Sequence, residues 1–153
     1  MDYKDKMTKE MATETILLAK SKKNLTFDQI AETVGRHPVW VASAIMGQSL
    51  MDAEEATKLI NLLDLNQSVA DSLRQTPLKG SLDETVPVDP LIYRFHEITQ
   101  VYGTTIKAVI NDKVGDGIMS AIDFTMDIDK KEDPDGDRVV ITLDGKFLPY
   151  KKW

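Results

Sequence analysis

Apolar residues recur every three or four positions through the first 80 residues of the chain, and every second position beyond residue 117. The first spacing is that of helices packed by one face, the second that of strands. A first helix is predicted from Lys9 to Lys22, with Met11, Ile16, Leu17 and Leu18 as its apolar positions, stopping at the cluster Lys22, Lys23, Asn24. Thr26 caps the next segment, LTFDQIAETVGRHPVWVASAIMG, in which Phe27, Ala31, Gly35 and Val41 stand at the spacing of a helix-turn-helix. Two more helices follow, from Asp52, an N-cap with Glu54 and Glu55 in its first turn, to Leu63, and from Gln67 to Gln75.

The stretch TPLKGSLDETVPVDP contains Pro77, Gly80, Pro87 and Pro90, and no helix runs through it. Asp89 and Pro90 form an N-cap and first helical position, so a helix is predicted through LIYRFHEITQVY to Gly103. Thr104 restarts helical spacing, which ends at Gly115 and Gly117. Beyond that point Ile118, Ile122, Phe124, Met126 and Ile128 share one strand face, with Asp123, Thr125 and Asp127 on the other. DKKEDPDGD is a solvated loop, and a second strand, RVVITL, meets Asp144 and Gly145, the signal of a tight hairpin returning through Phe147 and Leu148.

The expected fold is therefore α+β. An all-α, helix-turn-helix-like bundle occupies residues 1–80, a linker 81–88, and a small α+β domain with a β-hairpin 89–153. Met1 to Lys6 are similar to the start of a common epitope tag and are set aside. The second domain has two helices and a few short strands, below the size that buries a core comfortably, so it is expected to complete its core against other subunits.

Composition narrows the chemistry. The 153 residues carry 19 Lys+Arg against 25 Asp+Glu, a net charge of -6. That balance argues against nucleic acid as the main partner, since phosphate binding needs concentrated positive charge. The helix following the predicted turn agrees: after Arg36 and His37 it presents Pro38, Val39, Trp40, Val41 and Ala42, a surface for packing and not for reading bases. With no cysteine and two histidines there is no thiolate nucleophile, cysteine zinc site or histidine-rich metal site. Asp133, Asp135 and Asp137 alternate without the glutamate of an EF-hand, which fits a solvated loop. The apolar runs are too short to cross a bilayer, and the N-terminal stretch has no continuous apolar run of a secretory signal; no membrane partner is expected, and the expected location is cytoplasmic.

Two polar residues fall on apolar faces. At 100° per residue, Leu91, Phe95, Ile98, Val101 and Tyr102 form one helical sector, and Arg94 falls between Ile98 and Val101. Glu97, three residues on, is within reach of a charge-assisted hydrogen bond. Ser120 takes the apolar parity of the first strand. Singly, each has a bland account: a snorkelling or paired arginine, a serine bonded to backbone. Together they describe a small polar pocket in apolar surroundings, suited to a small anion. Neither His37 nor His96 is placed to activate the serine as a nucleophile.

DPLIYRFHEITQVYGTTIKAVINDKVGDGIMSAIDF, followed by ITLDGKFLPYKKW, resembles the catalytic domain of the cyanase family, the cyanate hydratases or cyanate lyases. The resemblance covers Asp89 to Trp153, and the helical half is similar in kind to the family's N-terminal domain. The family's catalytic arginine and glutamate in the YRFxE stretch, and its serine in the GDGIMSAIDF stretch, correspond to Arg94, Glu97 and Ser120. The chain departs from the family's usual residues at His96, commonly tyrosine, and at Asp112 and Val114, commonly glutamate and phenylalanine. What the resemblance implies is a lyase: cyanate and bicarbonate combine, CO2 is lost, and the remaining carbamate breaks down to ammonia and a second CO2. It also implies no cofactor beyond bicarbonate as co-substrate, and a homo-oligomer, a decamer assembled from dimers, with active sites between subunits. The alternatives are a helix-turn-helix regulator that binds DNA, and a catalytically silent oligomerisation module.

Overall fold

The computed structural model describes residues 6–80 and 83–153. The expectations placed on Met1 to Asp5 and on linker residues Ser81 and Leu82 lie outside the described residues. The chain divides into two compact units, Met1–Gly80 and Ser81–Trp153.

The first unit is five helices: α1 (Lys9–Lys22), α2 (Phe27–Val34), α3 (Pro38–Ile45), α4 (Ala53–Leu63) and α5 (Gln67–Leu73). Three of their starts, those of α1, α2 and α4, are capped by side-chain oxygens. Thr8 accepts from the Met11 N–H, while Thr26 with Gln29 and Asp52 with Glu55 form reciprocal capping boxes. Gly35, at φ 85°, ends α2 in the left-handed conformation that a side chain would resist, and opens the turn into α3. Ile16, Ile30, Val41, Ile45, Met51, Leu59 and Val69 fill the centre. On α1 the buried positions are Ala12 and Ile16, while Met11 and Leu18 face outward, so only part of the predicted apolar stripe is used.

The helix-turn-helix unit α2–α3 packs with Ala31 and Val41 buried, and Trp40 lies half-buried against the core. The two polar residues before α3 have intramolecular partners. The His37 side chain accepts from the Val39 N–H at 3.1 Å as the N-cap. The Arg36 guanidinium lies over the Trp40 ring at 5.6 Å and pairs through Nε with Oε1 of the buried Glu55, an ion pair that raises the Arg36 pKa above its ordinary value. Oε2 of Glu55 accepts from the Asp52 N–H at 2.9 Å, so this one carboxylate ties the α2–α3 turn to the start of α4.

The second unit is α6 (Pro90–Val114) and two antiparallel strands, β1 (Gly117–Lys131) and β2 (Arg138–Pro149). The α+β class thus stands, with three local differences from the expected elements. First, the helix does not break at Gly103: α6 runs unbroken for 25 residues. A glycine inside a helix costs about 1 kcal/mol relative to alanine, too little to end one whose hydrogen bonds continue on both sides. Second, Asp144 and Gly145 are not a turn. They pair with Thr125 and Phe124 inside the ladder, and the strands are joined at Asp133–Gly136, where the Gly136 N–H donates to the Asp133 carbonyl at 3.0 Å. Third, strict alternation fails along β1, because Met119 pairs with Phe147 and Phe124 with Gly145, which leaves Ser120 to Asp123 opposite Lys146 alone. This bulge turns Ile122 outward, where it is 97 % exposed.

The core of buried apolar residues lies in the first unit alone, among the described residues. No residue of α6 is buried, and Leu91, Phe95, Ile98, Val101, Tyr102 and Ile106 are all exposed. A two-stranded ribbon is at best marginally stable by itself.

A stability test follows for the first unit. The charged hydrogen bond from the Asp52 N–H to Glu55 is worth about 1.5 kcal/mol or more. Glu55→Ala should therefore lower the melting temperature by about 4 °C or more, whereas Glu54→Ala, which loses only the exposed pair with Lys58, should leave it within about 2 °C. Circular dichroism melts of the two variants beside the parent check this, and equal melting temperatures would contradict it.

Candidate active site

The start of α6 sets the place of Arg94 and Glu97. Asp89 Oδ1 accepts from the Leu91 and Ile92 N–H groups at 2.8 and 3.0 Å, and Pro90 at the first helical position adds a fixed φ. One turn on, Arg94 Nη1 lies 3.3 Å from Glu97 Oε2, and the guanidinium carbon stands 5.2 Å from the centre of the Tyr93 ring. The arginine is held on two sides, by a carboxylate and by an aromatic face. Within the single chain these side chains remain 58 % and 48 % exposed, set among the uncovered apolar residues of α6. His96 turns to the Tyr93 ring, at 5.7 Å between ring centres, half-buried.

Ser120 is the contrasting member, 7 % exposed at the head of the β1 bulge. Its Oγ accepts from the Ile122 N–H at 3.1 Å and the Asp123 N–H at 3.0 Å. A hydroxyl has two lone pairs and one proton. With both lone pairs engaged by backbone donors, what remains is the proton, so the group is built to donate. Such an oxygen is also a poor nucleophile, since its electron pairs already serve two N–H groups. Among the described residues, no hydrogen bond within the chain joins Ser120 to Arg94 or Glu97: the helix pairs two of the three residues, and the strand holds the third separately.

Other polar features lie elsewhere. Asn111 Oδ1, on the last turns of α6, is a buried acceptor with no partner among the described residues. An apolar hollow of about 300 Å³ lies between the ends of α1 and α4, lined by Leu18, Ala19, Leu63 and Leu65, and contains none of the three candidates. No group of three or more His, Cys, Asp or Glu residues among those described is arranged to hold a metal ion. No helix among the described residues is long and apolar enough to cross a membrane. Sequence reasoning misplaced Gly145 by reading Asp-Gly as a turn. An isolated glycine within a strand pattern also signals a bulge or a close backbone approach, and here that second meaning applies.

Comparison with known proteins covers both units. The family pattern described as cyanate lyase C-terminal domain matches residues 84–152, and that described as cyanate hydratase, N-terminal, matches residues 9–77. A protein of Prochlorococcus marinus subsp. pastoris named cyanate hydratase is 54% identical over 147 residues, 96% of this chain and 100% of its own length. Proteins of the same name from Synechococcus elongatus and Thiobacillus denitrificans are 55% and 50% identical, covering 92% and 96% of this chain and 97% and 100% of their own lengths. The crystal structure of cyanase from T. urticae is similar with a TM-score of 0.80 and 39% identity, over 90% of this chain and 96% of that one. With both halves matched and relatives at least half identical over nearly its full length, the chain belongs to the cyanate hydratase family of lyases.

Proposed function

We propose that this chain decomposes cyanate in a bicarbonate-dependent reaction, using Arg94, Glu97 and Ser120 at sites formed between subunits of a homo-oligomer, a decamer assembled from dimers. An oxygen of bicarbonate attacks the cyanate carbon to give a mixed dianion. The new C–O bond is kept while the original bicarbonate C–O bond breaks, releasing CO2. With one proton taken up, the product is carbamate, and a second proton then releases ammonia and a second CO2. Atoms and charge balance as cyanate plus bicarbonate plus two protons giving ammonia plus two CO2. The reading needs no cofactor beyond bicarbonate, its co-substrate.

The physical obstacle is the meeting of two anions, whose repulsion at about 4 Å is on the order of 4 kcal/mol at an effective dielectric near 20. Arg94 offsets it with a planar fork of donors matched to carboxylate-like oxygens. Glu97, at 3.3 Å, holds that fork in orientation. Ser120 gives its remaining proton to an anionic oxygen or to the cyanate nitrogen, and because its direction is set beforehand by two backbone amides it acts without reorganising. Holding both substrates in register supplies much of the remaining acceleration.

The observation that carries the reading is the contrast between the two halves of the site: a paired cation on an uncovered apolar helix face, and a buried hydroxyl left with a proton to donate. The exposure of that helix face supports the proposed assembly, in which another subunit covers it, because an apolar patch of this extent marks an interaction surface. That cover would also withdraw Arg94 from water into a lower dielectric, in which its attraction for anions is stronger. Against a DNA-binding role stand the intramolecular engagements of Arg36 and His37.

Four measurements test this. Purified protein should release ammonia from cyanate when bicarbonate is supplied and lose that activity in CO2-depleted buffer; equal rates in both would remove bicarbonate from the mechanism. Ser120→Ala should reduce kcat about 10²–10³-fold, as deletion of a preorganised donor does. Arg94→Lys, which keeps the charge but loses the fork, should also fall by at least about tenfold, so that an active lysine variant would deny the arginine's geometric role. Finally, mixing Arg94→Ala chains with Ser120→Ala chains should restore part of the activity, and verified hetero-oligomers that stay inactive would show that the sites are not shared between subunits.

A further inference from the structure

We propose that Gly145 is a positioning residue for the Ser120 hydroxyl, the one residue on β2 whose lack of a side chain lets the β1 bulge close into the shape that aims it. The inference rests on the reading of Ser120 as a site residue. Four residues of β1, Ser120 to Asp123, crowd opposite Lys146, between the pairs Met119 with Phe147 and Phe124 with Gly145. The ribbon absorbs them by folding the Ser120 peptide down onto Gly145. A Cβ placed on Gly145 would collide with the Ser120 carbonyl oxygen and meet Met119 Cγ at 2.5 Å and Sδ at 3.2 Å.

The nature of the obstructing atom decides the consequence. A methionine side chain can swing aside, but the Ser120 carbonyl is main chain, and moving it moves the residue that bears the hydroxyl. Gly145 does not have a positive φ, so what it provides is room and not an unusual backbone conformation. The same bulge brings the Ile122 and Asp123 N–H groups onto Ser120 Oγ. Displacing it loosens the two bonds that point the hydroxyl proton outward, and a misplacement near 1 Å is enough to reduce a rate about a hundredfold. The glycine touches no substrate in this account. It acts through Ser120 alone.

A double-mutant cycle on kcat separates that role from a general structural one, with assembly checked by light scattering. Gly145→Ala should assemble and lose about a hundredfold in kcat, with KM for cyanate changed by less than about threefold. The same substitution made on top of Ser120→Ala should change kcat by less than about twofold, because the group it acts through is gone. Full activity in Gly145→Ala, or an equal loss in both backgrounds, overturns the inference. If Gly145→Ala fails to assemble, it is combined with Met119→Ala, which removes the side-chain clash and leaves the one with the Ser120 carbonyl, and that variant is put through the same cycle. Non-additivity there supports the positioning role, while additivity, or failure of both variants to assemble, overturns it. A Ser120→Ala protein with undiminished activity would instead sink the role of Ser120 itself, an outcome distinct from the others.

Discussion

A 25-residue helix with no buried residue is the constraint on which the rest of this molecule turns. In water, an apolar face of that length is stable only when something covers it, and the two-stranded ribbon that follows has no core to lend. The first unit shows what a satisfied solution looks like: five short helices, four of them capped at the start by a side chain, closed around one buried centre. The second unit carries comparable apolar side chains with no comparable enclosure. Its candidate chemistry is set among those side chains, so in the proposed assembly folding stability and the dryness of the site come from the same contacts.

Most of this was legible in the sequence, and the reason is local. Helix starts are written in side chains that bond within three residues of themselves, as at Thr26 and Asp52, so a linear reading finds them. Arg94 and Glu97 were legible because helical period places three-apart residues side by side regardless of tertiary structure. What failed depended on pairing across the chain. Asp144 and Gly145 carry the composition of a tight turn, and only the partner strand decides that they lie in a ladder. The alternation along β1 broke for a related reason: a bulge changes which residues face inward, and its presence depends on how many residues the opposite strand supplies. Gly103 is a third case, where a real but small penalty was read as a stop.

The first unit keeps the shape of a nucleic-acid reader while using its polar groups for other ends. Arg36 and His37 stand where a recognition helix begins, and both are engaged within the domain, one with a buried carboxylate and one as a cap. An unpaired Glu55 inside this bundle would be expensive, so Arg36 has an internal reason to be there. The resemblance to a regulator is therefore one of packing geometry, and fold alone does not carry function across.

The two amides that grip the Ser120 oxygen belong to the residues just after it, on the same strand. The donors that aim that hydroxyl thus lie within four consecutive residues, in a bulge that β2 of the same chain shapes, and are in place in each chain by itself. In the proposed assembly, association has to deliver only the cation and the seal against solvent. On that proposal, newly joined subunits are competent as soon as they dock, with no slow internal rearrangement separating encounter from turnover.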